Sequence, residues 1–539
     1  MQFDALDVHS VLRFLNDAAG WTGDRTFQIS PLGSTTHVDL YLDTENQRFH
    51  RAGYLLRVRR VNRRRRAEAT LKSLDTGTPA AESKRSRQEI SQPVEQLDAT
   101  LLAVAEGPVI DRVRAVAGRK PLLPLFEVRT RRHLFSVATN GHAAGEIAVD
   151  ETRILPADGS PATRLRRVEL KVPEGATAAL EPLAEQLRVE CGLRTADLST
   201  YEAGLISAGL PRPPGLSFGS TDFDASATIG TVATAALRRQ LSAFLDEEPG
   251  ARLGDDPERL HDMRVASRRL RAALTLFAEV LPPQVVALRE ELRWIGGVLG
   301  AVRDLDVQLE QLDGWRATLP EADRSALDAL NSLLEEQRAE ARATMLEALD
   351  SRRYESFVNR FGRALRARPP RNSALWSAPA RQVAPALIEA RFRAVRRAVN
   401  GLDPDSQAGD YHRLRIHGKR LRYALEFFAE LYPKPTLALT KRLAALQDIL
   451  GLHQDADVAI ARLHALVAES SDRLEPATVF AMGQIAERYR RSMGDLRAEV
   501  PAATARVLGK SWKSLKKAME GQSAGVEAGP RPDDTPAQA

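Results

Sequence analysis

Two short stretches of the chain carry the same row of basic side chains. The first row is His261, Arg264, Arg268 and Arg271, and the second is His412, Arg415, Lys419 and Arg422. Steps of three, four and three residues place each row on one face of a helix, along about 15 Å of its length. Such a row repels itself unless solvent, carboxylates or an external anion compensates it. Guanidinium groups suit bidentate contact with phosphate, so the rows predict an anion-binding site.

The rows belong to an internal duplication. The stretch HDMRVASRRLRAAL, which begins at His261, returns 151 residues later as HRLRIHGKRLRYAL, which begins at His412. The same offset holds without a gap at Pro282/Pro433, Leu299-Gly300/Leu450-Gly451, Asp304/Asp455 and Asp306-Val307/Asp457-Val458. Each copy also has an apolar face at helical spacing, through Val265, Leu270, Leu274 and Phe277 and through Ile416, Leu421, Leu425 and Phe428. A single basic face is usually solvated surface, but repetition in register favours a shared binding function.

The composition limits the class of protein. With 539 residues the chain exceeds one typical core, so two or three domains are expected. Its 77 Lys and Arg against 71 Asp and Glu give a net charge of +6, so the basic signal lies in local placement. The single cysteine, Cys191, excludes an internal disulfide framework and fits a reducing cytosol. No apolar run has the length of a membrane span and no signal segment follows Met1, so we expect a soluble cytoplasmic protein.

Residues 1–210 alternate charged and apolar side chains in a way typical of strands. The alternation occurs in the runs 37–42, 56–59, 69–74, 84–90, 126–132, 146–150 and 167–172. A period of two places each charged set on one face of its strand. A sheet with one wet face would explain the pattern, and so would a closed barrel whose charged lumen holds water or a polyanion. On the pattern alone, both interpretations stay open.

Six segments in this region carry a resemblance to a known family. They are Tyr41-Leu-Asp-Thr44, Arg51-Ala-Gly53, Leu56-Arg-Val-Arg59, Thr70-Leu-Lys72, Arg87-Gln-Glu89 and Glu169-Leu-Lys171. In this order they resemble CYTH domains, the triphosphate tunnel metalloenzymes, over residues 25–210. The resemblance implies an antiparallel β tunnel that binds triphosphate through Arg57, Arg59, Lys72, Arg87 and Arg129. It also implies Mg²⁺ or Mn²⁺ as cofactor, held by Glu89, Asp150 and Glu169, for hydrolysis of triphosphate.

The chain departs from that family at its first strand. The family begins with Glu-x-Glu-x-Lys, whereas this chain begins Met1-Gln-Phe-Asp4, so its first strand is expected to be missing or degenerate. Lys171 also stands where an acid is common, and Leu198-Ser-Thr-Tyr201 replaces a Ser-Lys-type segment. A divalent metal site that loses carboxylates loses both ligands and charge. Either the true start lies upstream, or the tunnel binds without catalysis, and both alternatives stay open.

Beyond a Pro/Gly/Ser linker at 211–226, the pattern is helical over 227–519. Its halves, 227–370 and 380–519, each contain one basic row and a downstream LG-xx-(R/Q)-D-x-D-V segment. These features resemble CHAD domains, which implies two four-helix bundles related by a pseudo-twofold axis. The resemblance implies inorganic polyphosphate as ligand and, as in some members, association with polyphosphate granules. The implied binding set is His261, Arg264, Arg268, Arg269 and Arg271 with His412, Arg415, Lys419, Arg420 and Arg422.

Other interpretations of the helical region are disfavoured by spacing. Asp304 and Asp306 would not share a helix face, so a helix that stops at Gly300 and restarts is expected rather than a metal site. Gly296-Gly297-x-x-Gly300 lacks the preceding strand of a dinucleotide-binding loop. Two further basic clusters, Arg391, Arg393, Arg396 and Arg397, and the lysines at 510–517, are expected to be solvated faces. Residues 520–539 are expected to form a disordered tail.

The sequence therefore predicts a multi-domain α+β protein with an N-terminal antiparallel β tunnel and a C-terminal all-α pair of bundles. The predicted function is binding of inorganic polyphosphate, and the alternative is a metal-dependent inorganic triphosphatase. Nucleic acid is not the expected partner, because few aromatic residues interleave the rows for base stacking. Protonation of His261 and His412 near pH 6 is expected to strengthen binding.

Overall fold

The computed structural model divides the chain into two compact units, Met1–Gly215 and Leu216–Ala539. It describes all residues except 19–26, 63–65, 75–88, 97–104, 140–141, 172–176, 211–216, 319–320, 369, 371–372, 404–405, 471–473 and 528–539. In the described part, no helix has an apolar stretch long enough to cross a membrane.

The first unit is built on a nine-stranded antiparallel sheet. Its strands are β1 (Gln2–Asp4), β2 (Phe27–Asp43), β3 (Tyr54–Val61), β4 (Ala67–Ser73), β5 (Glu89–Val94), β6 (Leu123–Thr139), β7 (His142–Pro156), β8 (Thr163–Lys171) and β9 (Arg194–Thr195). They are hydrogen-bonded in the order β5-β4-β3-β2-β6-β7-β8-β1-β9. The helices of this unit are α1 (Val8–Ala18), α2 (Arg48–Arg51), α3 (Pro108–Ala117), α4 (Thr177–Glu190) and α5 (Thr200–Ser207). Each predicted run of alternation falls on a strand as far as it is described, which confirms the antiparallel sheet.

The first strand of this sheet is short but present. Strand β1 pairs with β8 on one side and with β9 on the other. This strand carries Gln2 and Asp4 and no glutamate, and no lysine follows it before α1. Whether it corresponds to the first strand of the family remains a prediction.

The two faces of the sheet differ in chemistry. On one face, apolar side chains such as Ile147, Val149 and Val168 pack in a core with residues of α1 and α4. Because side chains alternate along a strand, the opposite face carries the charged residues, and we call it the charged face. Its members include His37, Asp39, Arg57, Arg59, Lys72, Glu89, Arg132, Asp150, Arg167 and Glu169. Asp39 and Arg167 are buried there, at 3% and 6% exposure, which favours the enclosed tunnel over the open wet sheet.

The second unit is helical. Its helices are α6 (Ile229–Leu253), α7 (Pro257–Leu276), α8 (Pro283–Val286), α9 (Arg289–Thr318), α10 (Asp328–Leu349), α11 (Arg352–Arg366), α12 (Ala374–Ser377), α13 (Ala380–Asn400), α14 (Ala408–Phe427), α15 (Pro433–Ser470), α16 (Pro476–Arg506) and α17 (Trp512–Glu527). A 3₁₀ segment (Glu321–Leu327) precedes α10, and a π-helical segment (Val507–Ser511) joins α16 to α17. The predicted all-α second domain is confirmed.

Equivalent residues of the two halves meet each other, as residues near a twofold axis must. Thr228 and Pro379, which are separated by the offset of the duplication, form an antiparallel β-bridge. Phe277 and Phe428, separated by the same offset, pack edge to face with ring centroids 5.6 Å apart. Both rings are fully buried in one core shared by the two halves. These self-equivalent contacts are the physical basis of the pseudo-twofold relation.

The segments that follow the basic rows lie inside unbroken helices. Helix α9 runs through Gly300 to Asp306 and beyond, and α15 runs in the same way through Gly451 to Asp457. The predicted stop and restart of helices at these glycines is therefore wrong. An interior glycine weakens a helix by only about 1 kcal/mol, and packing of the neighbouring Leu299, which is fully buried, outweighs that loss.

The helical domain also extends further than predicted. Helix α17 continues to Glu527, past residue 519, where the domain was expected to end. Leu515 and Met519 are buried in the core and anchor this helix, so it propagates through the next turns. Disorder from residue 520 is therefore wrong for 520–527, whereas 528–539 lie outside the described residues.

Candidate functional site

The second unit contains a cavity of about 960 Å³ lined by α7, α9, α13, α14 and α15. Its charged and histidine side chains are His261, Arg264, Arg268, Arg271, Arg289, Arg293, Arg303, Asp304, Arg391, His412, Arg415, Lys419, Arg420, Asp455 and Arg462. Amphipathic helices turn these groups inward: Leu270 of α7 and Leu421 of α14 are fully buried in the core on another face. The duplicated pattern thus provides both the anchor of each helix and its basic row.

Both predicted rows reach this one cavity. Eight of the ten predicted residues line it, namely His261, Arg264, Arg268, Arg271, His412, Arg415, Lys419 and Arg420. The groups come from opposite halves of the duplication, so a bound anion would contact both halves together. Contact between these residues and polyphosphate remains a prediction.

The other two predicted residues, Arg269 and Arg422, are not among those that line the cavity. Both form ion pairs with Glu426, at 3.1 Å and 3.5 Å. Both guanidinium groups also lie near the ring of Tyr423, 5.8 Å and 5.7 Å from its centroid. The Tyr423 hydroxyl in turn accepts a hydrogen bond of 2.8 Å from Arg268 Nε. Arg269 therefore joins α7 to α14, and the two arginines hold Tyr423 and Glu426 in place beside the cavity.

Several cavity residues escaped the sequence analysis. Arg289, Arg293, Arg303 and Arg462 were not singled out, and Arg391, expected to be solvated, also lines the cavity. For two of them, Arg303 and Arg462, the duplication would have indicated a polar position in both halves. Arg303 is equivalent to Gln454, and Arg462 is equivalent to Gln311, and all four of these residues line the cavity. Arg289 and Arg293 have no basic equivalent, so only the packing of α9 reveals them.

Positive charge dominates the cavity. Eleven Arg and Lys side chains face two aspartates, Asp304 and Asp455. Asp304 pairs with Arg264 at 3.0 Å, so this carboxylate holds one arginine of the first row in place. Burial raises the pKa of Asp455, although Arg415 nearby acts in the opposite direction. Four of the eleven bases, Arg289, Arg293, Arg303 and Arg462, also pair with glutamates outside the lining. The other seven still outnumber the two aspartates, and this excess of positive charge favours a polyvalent anion.

Lys419 is the most perturbed base in this cavity. Burial, together with Arg268 and Arg415 nearby, lowers the pKa of Lys419 from 10.5 to about 7. Burial likewise lowers the pKa of Arg415 from its ordinary value. An anion placed between these groups would restore the charged form of Lys419, because opposite charge favours ionisation.

We expect polyanion binding above pH 7 to be accompanied by proton uptake at Lys419. The free side chain loses its proton as the pH rises through about 7. The affinity should therefore fall by up to about tenfold for each further pH unit. Calorimetry at pH 8 in buffers of different ionisation enthalpy measures the uptake. The Lys419→Arg variant should bind polyanion without proton uptake. If its affinity varied with pH as that of the wild type does, Lys419 would not be the group that takes up the proton.

The two histidines of the rows differ in their surroundings. Burial, and Arg303 beside it, lower the pKa of His261 below its ordinary value. His412 Nδ1 instead contacts Oε1 of Gln454. Strengthening of binding by protonation of His261 should therefore emerge at a lower pH than it would for an ordinary histidine.

The charged face of the first unit is a second candidate site. Of the predicted phosphate contacts there, Arg57, Arg59 and Lys72 lie on the charged face. Arg129 lies on the opposite face, where its side chain is 65% exposed and bonded to Glu127, so that prediction is wrong. The alternation of β6 brings Arg132 to the charged face instead. Arg87 lies outside the described residues.

The predicted metal ligands of this face are engaged by basic side chains. Asp150 and Glu169 both accept hydrogen bonds from Arg132, at 2.7 Å and 3.3 Å. Glu89 pairs with Lys72 at 3.0 Å. Among the described residues, no group of three or more His, Cys, Asp or Glu side chains could hold a metal ion. Because these carboxylates are paired with basic side chains, their arrangement does not fit Mg²⁺ or Mn²⁺ as a ligand set, and no hydrolytic step follows from it.

Two protein-family models match the chain. The CYTH domain matches residues 16–203, and the CHAD domain matches residues 235–464. No curated protein matches it.

Solved structures are similar to parts of the chain. The CHAD domain from the plant Ricinus communis is 31% identical and covers 55% of this chain and 97% of its own, with a TM-score of 0.43. PptA from Streptomyces chartreusis is 24% identical over 51% of this chain and 99% of its own, with a TM-score of 0.42. A putative adenylyl cyclase from Hippeastrum, described as having a dominant triphosphatase activity, is 14% identical over 38% of this chain and 93% of its own, with a TM-score of 0.28. With both family models matched in order, the chain belongs to the proteins that join a CYTH domain to a CHAD domain.

Proposed function

We propose that this protein binds inorganic polyphosphate in the cavity of its helical unit. The observation that carries the proposal is the convergence of both duplicated rows on one cavity with eleven Arg and Lys side chains. A linear polyanion can contact several bases from both halves at once. Association with polyphosphate granules would follow from the same binding.

The chemistry of the lining suits phosphate oxygens. Guanidinium groups offer parallel N–H donors that match two oxygens of a phosphate, and such charge-assisted bonds exceed neutral ones in strength. Gln308, Gln311 and Gln454 add neutral donors along the lining. Seven of the lining bases remain beside the four that pair with glutamates, and a polyanionic ligand would add negative charge next to them.

The aromatic residues of the lining favour polyphosphate over nucleic acid. They are Tyr423 and Phe427. Tyr423 is flanked by Arg269 and Arg422 and bonded to Arg268, and Phe427 is only 7% exposed. Neither ring therefore offers an open face on which a base could stack.

A titration of long-chain polyphosphate into the whole chain, followed by calorimetry, tests the proposal. A single-stranded RNA at equal phosphate concentration serves as the comparison ligand. We expect polyphosphate to bind more tightly than RNA, because the cavity provides cations without stacking surfaces. Equal or tighter binding of RNA, or no binding of polyphosphate, would overturn the proposal.

Binding should weaken steeply with salt. Each phosphate that a Lys or Arg neutralises releases condensed counterions, with a slope of about −0.7 per contact for single-stranded polyanions. If six to eight bases of the cavity engage, log K should fall with log salt at a slope of roughly −4 to −6. Repeating the titration across a salt series measures this slope. A slope near zero would show that the cavity bases do not make ionic contacts with the ligand.

A second candidate function is hydrolysis of triphosphate on the charged face of the first unit. The observation in its favour is the gathering of Arg57, Arg59, Arg132 and Arg167 on that face. Against it stands the pairing of each predicted metal ligand with a base. An assay of phosphate release from triphosphate, with and without Mg²⁺ or Mn²⁺, separates the two functions. Metal-dependent release would establish an enzyme, whereas binding without release supports a tunnel that is silent toward triphosphate.

A further inference from the structure

We propose that a bound polyphosphate extends out of the cavity over a basic surface formed by α13 and α14 of the second half. This inference rests on the proposed function and extends it to the part of the ligand that lies outside the cavity. The surface, which we call the exit surface, comprises Arg391, Arg397, Arg413, His417 and Arg420.

The exit surface begins inside the cavity. Arg391 and Arg420 both line the cavity, and they lie close enough for Arg420 to lower the pKa of Arg391, after the larger effect of burial. The side chain of Arg420 is also exposed to solvent. The two arginines therefore reach both the cavity and the outer surface.

The surface continues along a second face of α14. Arg420, His417 and Arg413 are separated by steps of three and four residues, so they form a line distinct from the row that contains Lys419. Burial lowers the pKa of His417, and next in size are the effects of Arg420, Arg397, Arg391 and Arg413. All four arginines thus lie near one histidine, and Arg397 and Arg413 are exposed.

Most of these bases have no carboxylate partner. Arg413 pairs with Asp410, but within the described part of the chain no ion pair involves Arg391, Arg397 or Arg420. The neighbouring Arg393 contrasts with them, since it pairs with Glu389 at 3.7 Å. Unpaired bases that crowd one histidine repel one another, and a polyanion would relieve that repulsion.

The equivalent surface of the first half, on α6 and α7, carries a different charge. At the duplication offset, Arg413 corresponds to Asp262, Arg397 to Asp246, Arg391 to Gln240, His417 to the buried Ala266, and Arg420 to Arg269, which pairs with Glu426. The offset applies here because α6 begins at Ile229 and α13 at Ala380, the equivalent position. Asp262 and Asp246 raise the pKa of Glu247, after the larger effects of burial, which raises it, and of Arg259, which pairs with Glu247 at 3.1 Å and lowers it. A polyanion that leaves the cavity is therefore attracted more strongly over α13 and α14 than over α6 and α7.

The test compares a ligand that fits the cavity with one that must extend beyond it. Tripolyphosphate and long-chain polyphosphate are titrated into the wild type, Arg397→Glu and Arg396→Glu. Arg396 is the matched control: it is exposed on the same helix, its replacement changes the charge equally, and it is not among the larger influences on His417 or Arg391. We expect Arg397→Glu to weaken long-chain binding about three- to tenfold and to leave tripolyphosphate binding unchanged.

Three results would overturn the inference. In the first, Arg396→Glu weakens long-chain binding as much as Arg397→Glu does, which indicates a general charge effect. In the second, Arg397→Glu weakens both ligands equally. In the third, Asp262→Arg, which places a base at the first-half equivalent of Arg413, fails to raise long-chain affinity by about threefold. Failure of the wild type to bind either ligand would instead overturn the proposed function itself.

Discussion

Replacing Arg264 and Arg415 together by glutamate is expected to lower polyphosphate affinity by at least about a hundredfold. The two residues occupy equivalent positions in the two rows, and both line the cavity. Each charge-assisted hydrogen bond contributes about 1.5–3 kcal/mol, so loss of two contacts removes about 3–6 kcal/mol, and the new carboxylates add repulsion. Calorimetric titration of the double variant against the wild type measures the change.

A matched control is the double variant Arg188→Glu/Arg491→Glu, which changes the net charge equally. Both side chains are surface-exposed, at 49% and 77%, and neither lines the cavity. We expect the control to lose affinity less than about threefold, because exposed charges are screened. If the control and the cavity variant lose affinity equally, the attraction is non-specific and the cavity is not the binding site.

Replacing Arg252 by methionine is expected to destabilise the helical unit by about 3–5 kcal/mol. Arg252 is fully buried at the end of α6, where its guanidinium donates to Glu248, Asp350 and the carbonyl of Leu349, each at 2.8 Å. Tyr354 of α11 donates to the same Glu248 at 2.7 Å. Without the arginine, a buried carboxylate loses its counter-charge, and α6 keeps only other polar connections to α10, such as those from Arg342 to its last carbonyls.

Urea denaturation followed by helical circular dichroism measures this loss. The control is Arg239→Met, which breaks an exposed ion pair with Glu430 and should change the free energy of unfolding by less than about 1 kcal/mol. Similar effects of the two substitutions would show that the network around Arg252 contributes no more than a surface pair.

The most secure sequence-based predictions concerned residues whose spacing alone fixes their direction. A helix obliges residues at steps of three and four to share a face, so the rows were expected together, and seven of their eight residues line one cavity. Spacing does not explain why Arg422 is the exception, nor why Arg269 lies outside the cavity while its equivalent Arg420 lines it. Arg269 and Arg422 both pair with Glu426 instead of lining the cavity. The position of Glu426 follows from the packing of α7 against α14.

Two errors have a common origin in local reasoning. Arg129 was chosen by its likeness to a family contact, yet the register of β6 assigns it to the face opposite Arg132. Gly300 was treated as a helix stop, although tertiary packing keeps α9 continuous. In both cases the deciding information was the position of a neighbouring element, which a single stretch of sequence does not contain.

At one pair of packed positions, the two halves place the small residue on different helices, which only a comparison of the halves reveals. In the first half Ser267 lies against Gly296, with the glycine on the downstream helix. In the second half the small residue is Gly418, and Gln447 occupies the downstream position. The larger side chain of the pair is thus on the upstream helix in the first half and on the downstream helix in the second half. A side chain added at 418 would contact Gln447, and a double-mutant cycle of Gly418→Ser with Gln447→Gly would measure the coupling between the two positions.

The contact of Phe277 with Phe428 has a consequence for how this architecture can change. Two identical subunits could meet through such a contact, but every substitution would then appear twice, once on each side of the cavity. Joining the halves in one polypeptide breaks that constraint, since each side accumulates substitutions independently. One side can then acquire bases while the other acquires acids. The two sides of the pseudo-symmetric cavity can thereby become chemically different, while the core that joins the two halves is kept.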